Sequence, residues 1–217
     1  MDDPRIAALV AEYTVQGKSG SAPTGFGDTY TFYVGTDDCH SILKLLISQE
    51  TNMLKMNMFG YDDEELDATI LSLIQDKSVH CQITLDRSQA GGVHEKVILT
   101  QDQAALGEEF SNSFSIGQSA THQISHTKGG VLVGQGIGWE GSMNWSASGE
   151  GTGIVLDPTQ AQPPGFKAQN NTLTISTNPV FLRLFAAQLD KEHQIVRQQE
   201  AARAAKAAAQ ADHSASA

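Results

Sequence analysis

Cysteine and long apolar runs are both scarce in this chain. Cys39 and Cys81 are the only cysteines among 217 residues, and no CxxC spacing is present, so neither a disulfide framework nor a cysteine-bound metal is expected. No run reaches the ~18 apolar residues of a membrane span. The first residues, MDDPRIAALV, lack the basic start and apolar stretch of a signal peptide. We therefore expect two reduced thiols in a cytoplasmic protein.

Positive charge is also in short supply. The sequence has 14 basic and 25 acidic residues, a net charge of −11. All of that excess lies in residues 1–120, which hold 7 basic and 18 acidic residues, whereas 121–217 hold 7 of each. This negative charge argues against a protein that coats nucleic acid or anionic membranes through its overall electrostatic attraction. A phosphate-containing substrate would need a local basic pocket.

Strand-like and helix-like patterns alternate in the first half of the chain. Runs rich in β-branched, aromatic and apolar residues occupy 29–35, 53–61 and 78–86. A helical stripe follows the first run, where Asp37 or Asp38 can serve as its N-cap. This alternation predicts parallel crossovers. We expect an α/β fold with a mixed, mostly parallel β-sheet flanked by helices.

Two further helices are predicted from weaker or more local signals. Asp62 and Glu65 match a capping box, and the apolar stripe behind them continues to about Gln75. A helix near 101–110 is indicated only weakly. These helices would complete the layers on the sheet.

The second half of the chain returns to strands and closes with a helix. Residues 126–146 supply two or three strands, and 170–176 supply a last one. Asn178 and Pro179 suit the N-cap and first position of a closing helix. The sheet is therefore expected to be complete before that helix begins.

Composition divides the chain into three parts. Residues 1–28 mix a short helical pattern with a glycine- and serine-rich loop, so we expect an N-terminal segment that is partly ordered. The domain proper spans 29–196 and carries a loop-rich insertion at 147–168. The alanine-rich tail, 197–217, has no larger apolar stripe, which predicts a frayed helix or disorder.

The most informative stretch is HTKGGVLVGQGIGWEGSMNWS, from His126 to Ser146. In an extended strand, residues i and i+2 share a face, so His126 and Lys128 can lie together, as can Ser142 and Asn144. Four polar side chains could thus converge on one spot.

These residues resemble the signature of the phospholipase D superfamily, which is H-x-K, a short spacer usually carrying an Asp, then G-S-x-N. Here the two parts are His126-Thr127-Lys128 and Gly141-Ser142-Met143-Asn144. The resemblance extends over roughly 29–190 and is to the small, single-motif bacterial members. It implies a phosphodiesterase that needs neither cofactor nor metal, since the imidazole attacks phosphorus and the cation and donors stabilise the phosphoryl oxygens.

The resemblance also implies residue roles and an assembly. His126 would form a phosphohistidine, Lys128 would neutralise phosphoryl charge, and Ser142 and Asn144 would donate hydrogen bonds. The family uses two motif histidines per site, and this chain has one motif. A C2 homodimer with one composite site at its interface is therefore implied.

Two departures from the family concern the groups that orient the histidine. The usual Asp position holds Val133 and the spacer is one residue longer, while Thr172 stands where an acidic residue often follows G-S-x-N. A nucleophilic imidazole relies on a partner at its other nitrogen. The candidate substitutes are Glu140, Glu150 and Asp157, and strand alternation places Glu140 on the same face as Ser142 and Asn144.

Small single-motif members are often nucleases, so the resemblance implies hydrolysis of DNA or RNA. The first alternative is a phospholipid phosphodiesterase, which would need an apolar rim or amphipathic helix. The second is a degenerate, non-catalytic dimer that binds phosphate, which the missing Asp allows.

Three other patterns have plain structural interpretations. His94-Glu95-Lys96 repeats H-x-K, but no G-S-x-N follows it, as is typical of a charged strand face. The spacing of His122 and His126 would suit a zinc site only on a helix, and the sequence predicts a strand there. The acidic run 62–65 is typical of a capped, solvated first turn of a helix.

Overall fold

The computed structural model describes residues 3–15, 25–26 and 28–215. Most of the loop expected before Thr29 lies outside these residues. The helices are α1 (Pro4–Tyr13), α2 (Cys39–Ser48), α3 (Glu64–Gln75), α4 (Val93–Leu106), α5 (Glu108–Ser113), α6 (Ala147–Glu150) and α7 (Pro179–Ala215). The strands are β1 (Gly25–Phe26), β2 (Thr29–Tyr33), β3 (Met53–Met58), β4 (His80–Asp86), β5 (Phe114–Gly117), β6 (Lys128–Leu132), β7 (Ile137–Gly141) and β8 (Thr172–Ser176).

The strands form one eight-stranded sheet in the order β1-β2-β8-β7-β6-β3-β4-β5. The predicted α/β architecture, a mixed sheet flanked by helices, is confirmed. The expectation of mostly parallel pairing is corrected, because only β3–β4 and β4–β5 are parallel and the other five pairs are antiparallel. Parallel crossovers lead from β2 through α2 to β3 and on to β4 and β5, because four antiparallel pairs separate β2 from β3 and make these two strands parallel. The antiparallel pairs arise where β6, β7 and β8 of the second half lie between β2 and β3.

Alternation along β3 separates the two faces of the sheet. Leu54, Met56 and Met58 are buried in the main apolar core with residues of α2 and α3. Lys55 and Asn57 point the other way and bond to Asp190 and Glu192 of α7. The long closing helix therefore covers one face alone, and the remaining large helices pack on the other.

The closing helix begins where the sequence predicts and continues into the alanine-rich tail, for which a frayed helix or disorder was expected. The side chain of Asn178 accepts hydrogen bonds from the main-chain N–H groups of Val180 (2.9 Å) and Phe181 (3.1 Å). The helix then continues to Ala215, so the alanine-rich tail is helical there rather than disordered. Side chains in this part bond to the main chain around the edge strand β5, which explains the extension: Gln199, Glu200 and Arg203.

Local boundaries also differ from the predictions in two places. The N-cap of α3 is Asp63, which accepts from the N–H groups of Glu65 and Leu66, and not Asp62. The helix expected near 101–110 begins much earlier, at Val93, after a glycine that offers no side-chain cap. The insertion 147–168 starts with the short α6 and is otherwise without regular structure.

The scarcity of cysteine and of long apolar runs led to two expectations, about the thiols and about the helices. Cys39 and Cys81 are free. No helix among the described residues has the length and hydropathy needed to cross a membrane.

Candidate active site

Three of the predicted side chains meet at Phe59 and Gly60, directly after β3. The ring of His126 lies 4.5 Å from the ring of Phe59, centroid to centroid. The ammonium of Lys128 lies 4.9 Å from the centroid of the same ring. A Cβ placed on Gly60 would lie 3.1 Å from the Cβ of Asn144. The end of one strand thus brings both parts of the motif together.

Lys128 is the buried cation of this group. It is the first residue of β6, opposite Met58, and its Nζ donates to the main-chain oxygen of His126 at 3.0 Å. The residue is 4% exposed, and burial lowers the pKa of its ammonium. No carboxylate in the described structure forms an ion pair with it. A desolvated, unpaired cation is suited to an anionic oxygen of a ligand.

His126 lies before β6 and not within it, contrary to the strand expected there. Its side chain is exposed, as a nucleophile must be. The residue before it, Ser125, donates its main-chain N–H to Asp86 Oδ2 at 2.7 Å. The position of the imidazole is therefore set by contacts on its main chain and by Phe59.

Asn144 is held by the segment around it. The N–H of Trp145 donates to the oxygen of Gly60 at 3.0 Å, and the N–H of Asp62 donates to the oxygen of Trp145 at 2.8 Å. Asn144 Oδ1 is buried and has no hydrogen-bond partner among the described residues. The side chain of Asn144 thus lies beside Gly60 with an oxygen that can accept a hydrogen bond, while donation to a phosphoryl oxygen would come from its amide nitrogen.

Ser142 is hydrogen-bonded to Thr172, the first residue of β8, and to Asn171, which directly precedes that strand. Its Oγ donates to Asn171 Oδ1 and accepts from the N–H of Thr172, both at 3.1 Å. The side chain is exposed. A ligand that accepts from Ser142 would replace Asn171 as the acceptor, a contact that the sequence did not reveal.

Glu140 lies on the other face of the sheet from Lys128. In β7 it stands opposite Gly129, which in turn stands opposite Asn57. Side chains directly opposite in a sheet share a face, so Glu140 shares the α7 face with Asn57. Lys128, one residue before Gly129, points to the opposite face.

Glu150 is hydrogen-bonded to His40 and not to His126. It is fully buried, and its Oε2 lies 2.5 Å from His40 Nδ1, with Asp63 Oδ2 3.6 Å from the same nitrogen. Burial raises the pKa of Glu150; burial alone would lower the pKa of His40, but the hydrogen bond and charge of Glu150 raise it above its usual value. His40 and Glu150 tie α2 to α6, and Asp63, the N-cap of α3, lies beside them. Asp157, the third candidate, is exposed in the insertion, and its carboxylate accepts a hydrogen bond from the main-chain N–H of Thr159.

His40, Asp63 and Glu150 are also the described residues whose donor atoms could hold a metal ion, all within 4.8 Å of one another. The donors do not fit a metal well, because two ligands of one zinc lie ~3.3 Å apart, given bonds of ~2.0–2.2 Å in a tetrahedron. The 2.5 Å contact is that of a charged hydrogen bond. The imidazole itself supplies the positive charge of this cluster.

The remaining histidines of the sequence patterns lie outside any such cluster. His94 is exposed near the start of α4, and His122 is exposed with a φ of 58° in the loop before β6. The zinc-like spacing of His122 and His126 does not occur on a helix. Both retain their plain structural interpretation.

No protein-family model and no curated protein matches the chain. Among solved structures it is similar to NucT from Helicobacter pylori, with a TM-score of 0.56 and 14% identity over 76% of this chain and 95% of that one. It is similar to Nuc, a phospholipase D family member from Salmonella typhimurium, with a TM-score of 0.53 and 13% identity over 76% and 92%. Phosphatidylserine synthase from Haemophilus influenzae has a TM-score of 0.52 and 9% identity, over 86% of this chain and 40% of that one. At these identities the likeness shows the fold.

Proposed function

The chain has the fold of the phospholipase D superfamily, and on that premise we propose that it is a metal-independent phosphodiesterase that hydrolyses DNA or RNA. The observation that carries the proposal is the meeting of His126, Lys128 and Asn144 at the end of β3. An exposed imidazole beside a buried, unpaired ammonium provides a nucleophile and a charge for the phosphoryl group.

The reaction proceeds in two displacements. His126 attacks phosphorus, the bond to the leaving oxygen breaks, and a phosphohistidine forms. Lys128 neutralises a phosphoryl oxygen, and Ser142 and Asn144 donate hydrogen bonds to the same group. Water then attacks phosphorus, which releases the second product and restores the imidazole. General acid–base help is needed in both steps, to protonate the leaving oxygen and to activate the water.

That acid–base group is the His126 side chain of the partner subunit in a C2 homodimer. The chain has one H-x-K and G-S-x-N set, which supplies half of a two-histidine site. His126 is exposed, so it is accessible to a second copy. In a C2 interface a residue near the symmetry axis meets its own copy, so the proposal requires His126 to lie near that axis.

Chain size favours nucleic acid over lipid as the substrate. The chain matches nearly the whole of NucT and Nuc, 95% and 92% of their lengths, but only 40% of the phosphatidylserine synthase. The resemblance of the sequence to small single-motif members, often nucleases, points the same way. The acidic first part of the chain opposes binding by bulk charge, so the local cation Lys128 must hold the phosphate.

The test is hydrolysis of labelled DNA, RNA and phospholipid vesicles in the presence of EDTA. We expect cleavage of nucleic acid that His126→Ala abolishes and that His94→Ala leaves intact, since His94 is remote in sequence from the G-S-x-N set. Both residues are exposed, so neither change should lower the melting temperature. Cleavage of lipid alone would support the phospholipid alternative, and no cleavage with retained phosphate binding would support the non-catalytic dimer. Rescue by magnesium or zinc after chelation would contradict metal independence.

A further inference from the structure

Three aspartates among the described residues form the same local turn. One oxygen of each carboxylate accepts from both the main-chain N–H and the hydroxyl of the residue two positions later. The distances are 3.0 and 2.7 Å for Asp76 with Ser78, 2.8 and 2.5 Å for Asp86 with Ser88, and 2.9 and 2.7 Å for Asp157 with Thr159. Such turns are a common local use of Asp.

Asp86 differs from the other two in what its second oxygen does. Its Oδ2 accepts from the main-chain N–H of Ser125, 39 residues away, at 2.7 Å. It is also 1% exposed, whereas Asp76 and Asp157 are exposed. A buried carboxylate that satisfies a distant main-chain donor fixes two segments of chain relative to each other.

The distant segment is the one that presents the nucleophile. Ser125 directly precedes His126, in a loop between β5 and β6 whose residues are mostly exposed. On the other side, Lys128 Nζ donates to the main-chain oxygen of His126 at 3.0 Å. The main chain of His126 is thus bonded on both flanks, and the ring then packs on Phe59.

We propose that Asp86 is a positioning residue for His126, acting through the main chain of Ser125. The catalytic part of this inference rests on the proposed function. Asp86 contacts neither the imidazole nor the phosphate. Its proposed role is to fix the position of the His126 main chain, so that the imidazole stays beside Lys128 and Asn144. Small displacements of a nucleophile reduce turnover strongly.

The test is Asp86→Asn, with Asp76→Asn as the matched control. Asparagine keeps the local turn through its oxygen, but the amide nitrogen in place of the second oxygen cannot accept from Ser125. We expect the Ser125 amide to exchange with solvent at least about tenfold faster, and the ring protons of His126 to lose the shift caused by Phe59. We expect kcat to fall about 10- to 100-fold, with KM and the shape of the pH–rate profile unchanged. The control should change none of these quantities.

The exchange and ring-shift measurements need no activity, so they separate this inference from the proposed function. Unchanged Ser125 exchange and unchanged His126 shifts in Asp86→Asn would overturn the positioning role. Changed shifts in a protein that cleaves nothing would overturn the proposed function alone. If Asp86→Asn fails to fold, Ser125→Pro removes the same hydrogen bond from the donor side, at a half-buried loop residue. Normal kcat in Ser125→Pro would then contradict the inference.

Discussion

At the scale of residues, the candidate site combines one exposed group with one buried group. His126 is open to solvent, while Lys128 is 4% exposed and has no acidic partner in the described structure. Burying an ammonium without a counter-ion costs free energy of folding, since its water is lost. Such a cost is typical of a site arranged for a ligand rather than for stability.

Replacing Lys128 by methionine should therefore separate stability from activity. Methionine has a similar length and no charge to desolvate, so we expect the free energy of unfolding to rise by about 1–2 kcal/mol. Turnover should fall by about 10²–10³ because the phosphoryl charge is no longer neutralised. Denaturant titration and steady-state kinetics measure the two effects. A variant that is both less stable and fully active would contradict this role of Lys128.

The sequence predicted the residues of the motif but not what holds them. Motifs of neighbouring residues, such as H-x-K and G-S-x-N, are visible in the sequence alone. Phe59 and Asp86 were missed because their roles depend on contacts with residues far along the chain. Strand alternation predicted that Glu140 shares a face with Ser142 and Asn144, but β7 ends at Gly141, so the register gives only the direction of Glu140 itself, toward α7.

At the scale of elements, α7 covers one face of the sheet with buried apolar side chains, such as Leu189 and Val196, and with polar contacts. Lys55 Nζ lies 2.6 and 2.7 Å from the two carboxylate oxygens of Asp190. His193 Nδ1 lies 3.0 Å from the hydroxyl of Thr84, and Arg197 donates to His193 Nε2 at 3.3 Å. Because an arginine can only donate, His193 must be neutral in this arrangement.

Acid should weaken the docking of α7. Burial, followed by the charge of Arg197, lowers the pKa of His193 from 6.5 to about 4. Between these values the unfolded chain binds the extra proton and the folded chain does not, so stability falls as pH drops from 6.5 to 4. We expect a loss of about 1–2 kcal/mol from this group, allowing for solvent screening. Denaturant titrations should show a smaller loss in His193→Gln, while His80→Gln, at an exposed position, should behave as wild type.

Elements with local signals were predicted well, and their pairing less well. The cap at Asn178 is set by neighbouring residues, so it was visible in sequence. The start of α4 was missed because Gly92 gives no capping side chain. The antiparallel majority of the sheet depends on where β6 inserts beside β3, which no local pattern specifies.

At the scale of the whole molecule, the proposed reaction requires two chains for one site. Each chain contributes a His126, a Lys128 and an Asn144, and the reaction needs a nucleophile and an acid from different copies. When one imidazole carries the phosphoryl group, the other must remain free to activate water. A symmetric dimer therefore forms one covalent intermediate at a time.

Trapping that intermediate is the most direct measurement. The protein, in EDTA, is mixed with an oligonucleotide labelled on the scissile phosphate, quenched under conditions that preserve phosphohistidine, and analysed by peptide mass spectrometry and light scattering. We expect a dimer in which label is found on His126 at one per two chains, and none in His126→Ala. An active monomer, or label on any other residue or on every chain, would contradict the shared site.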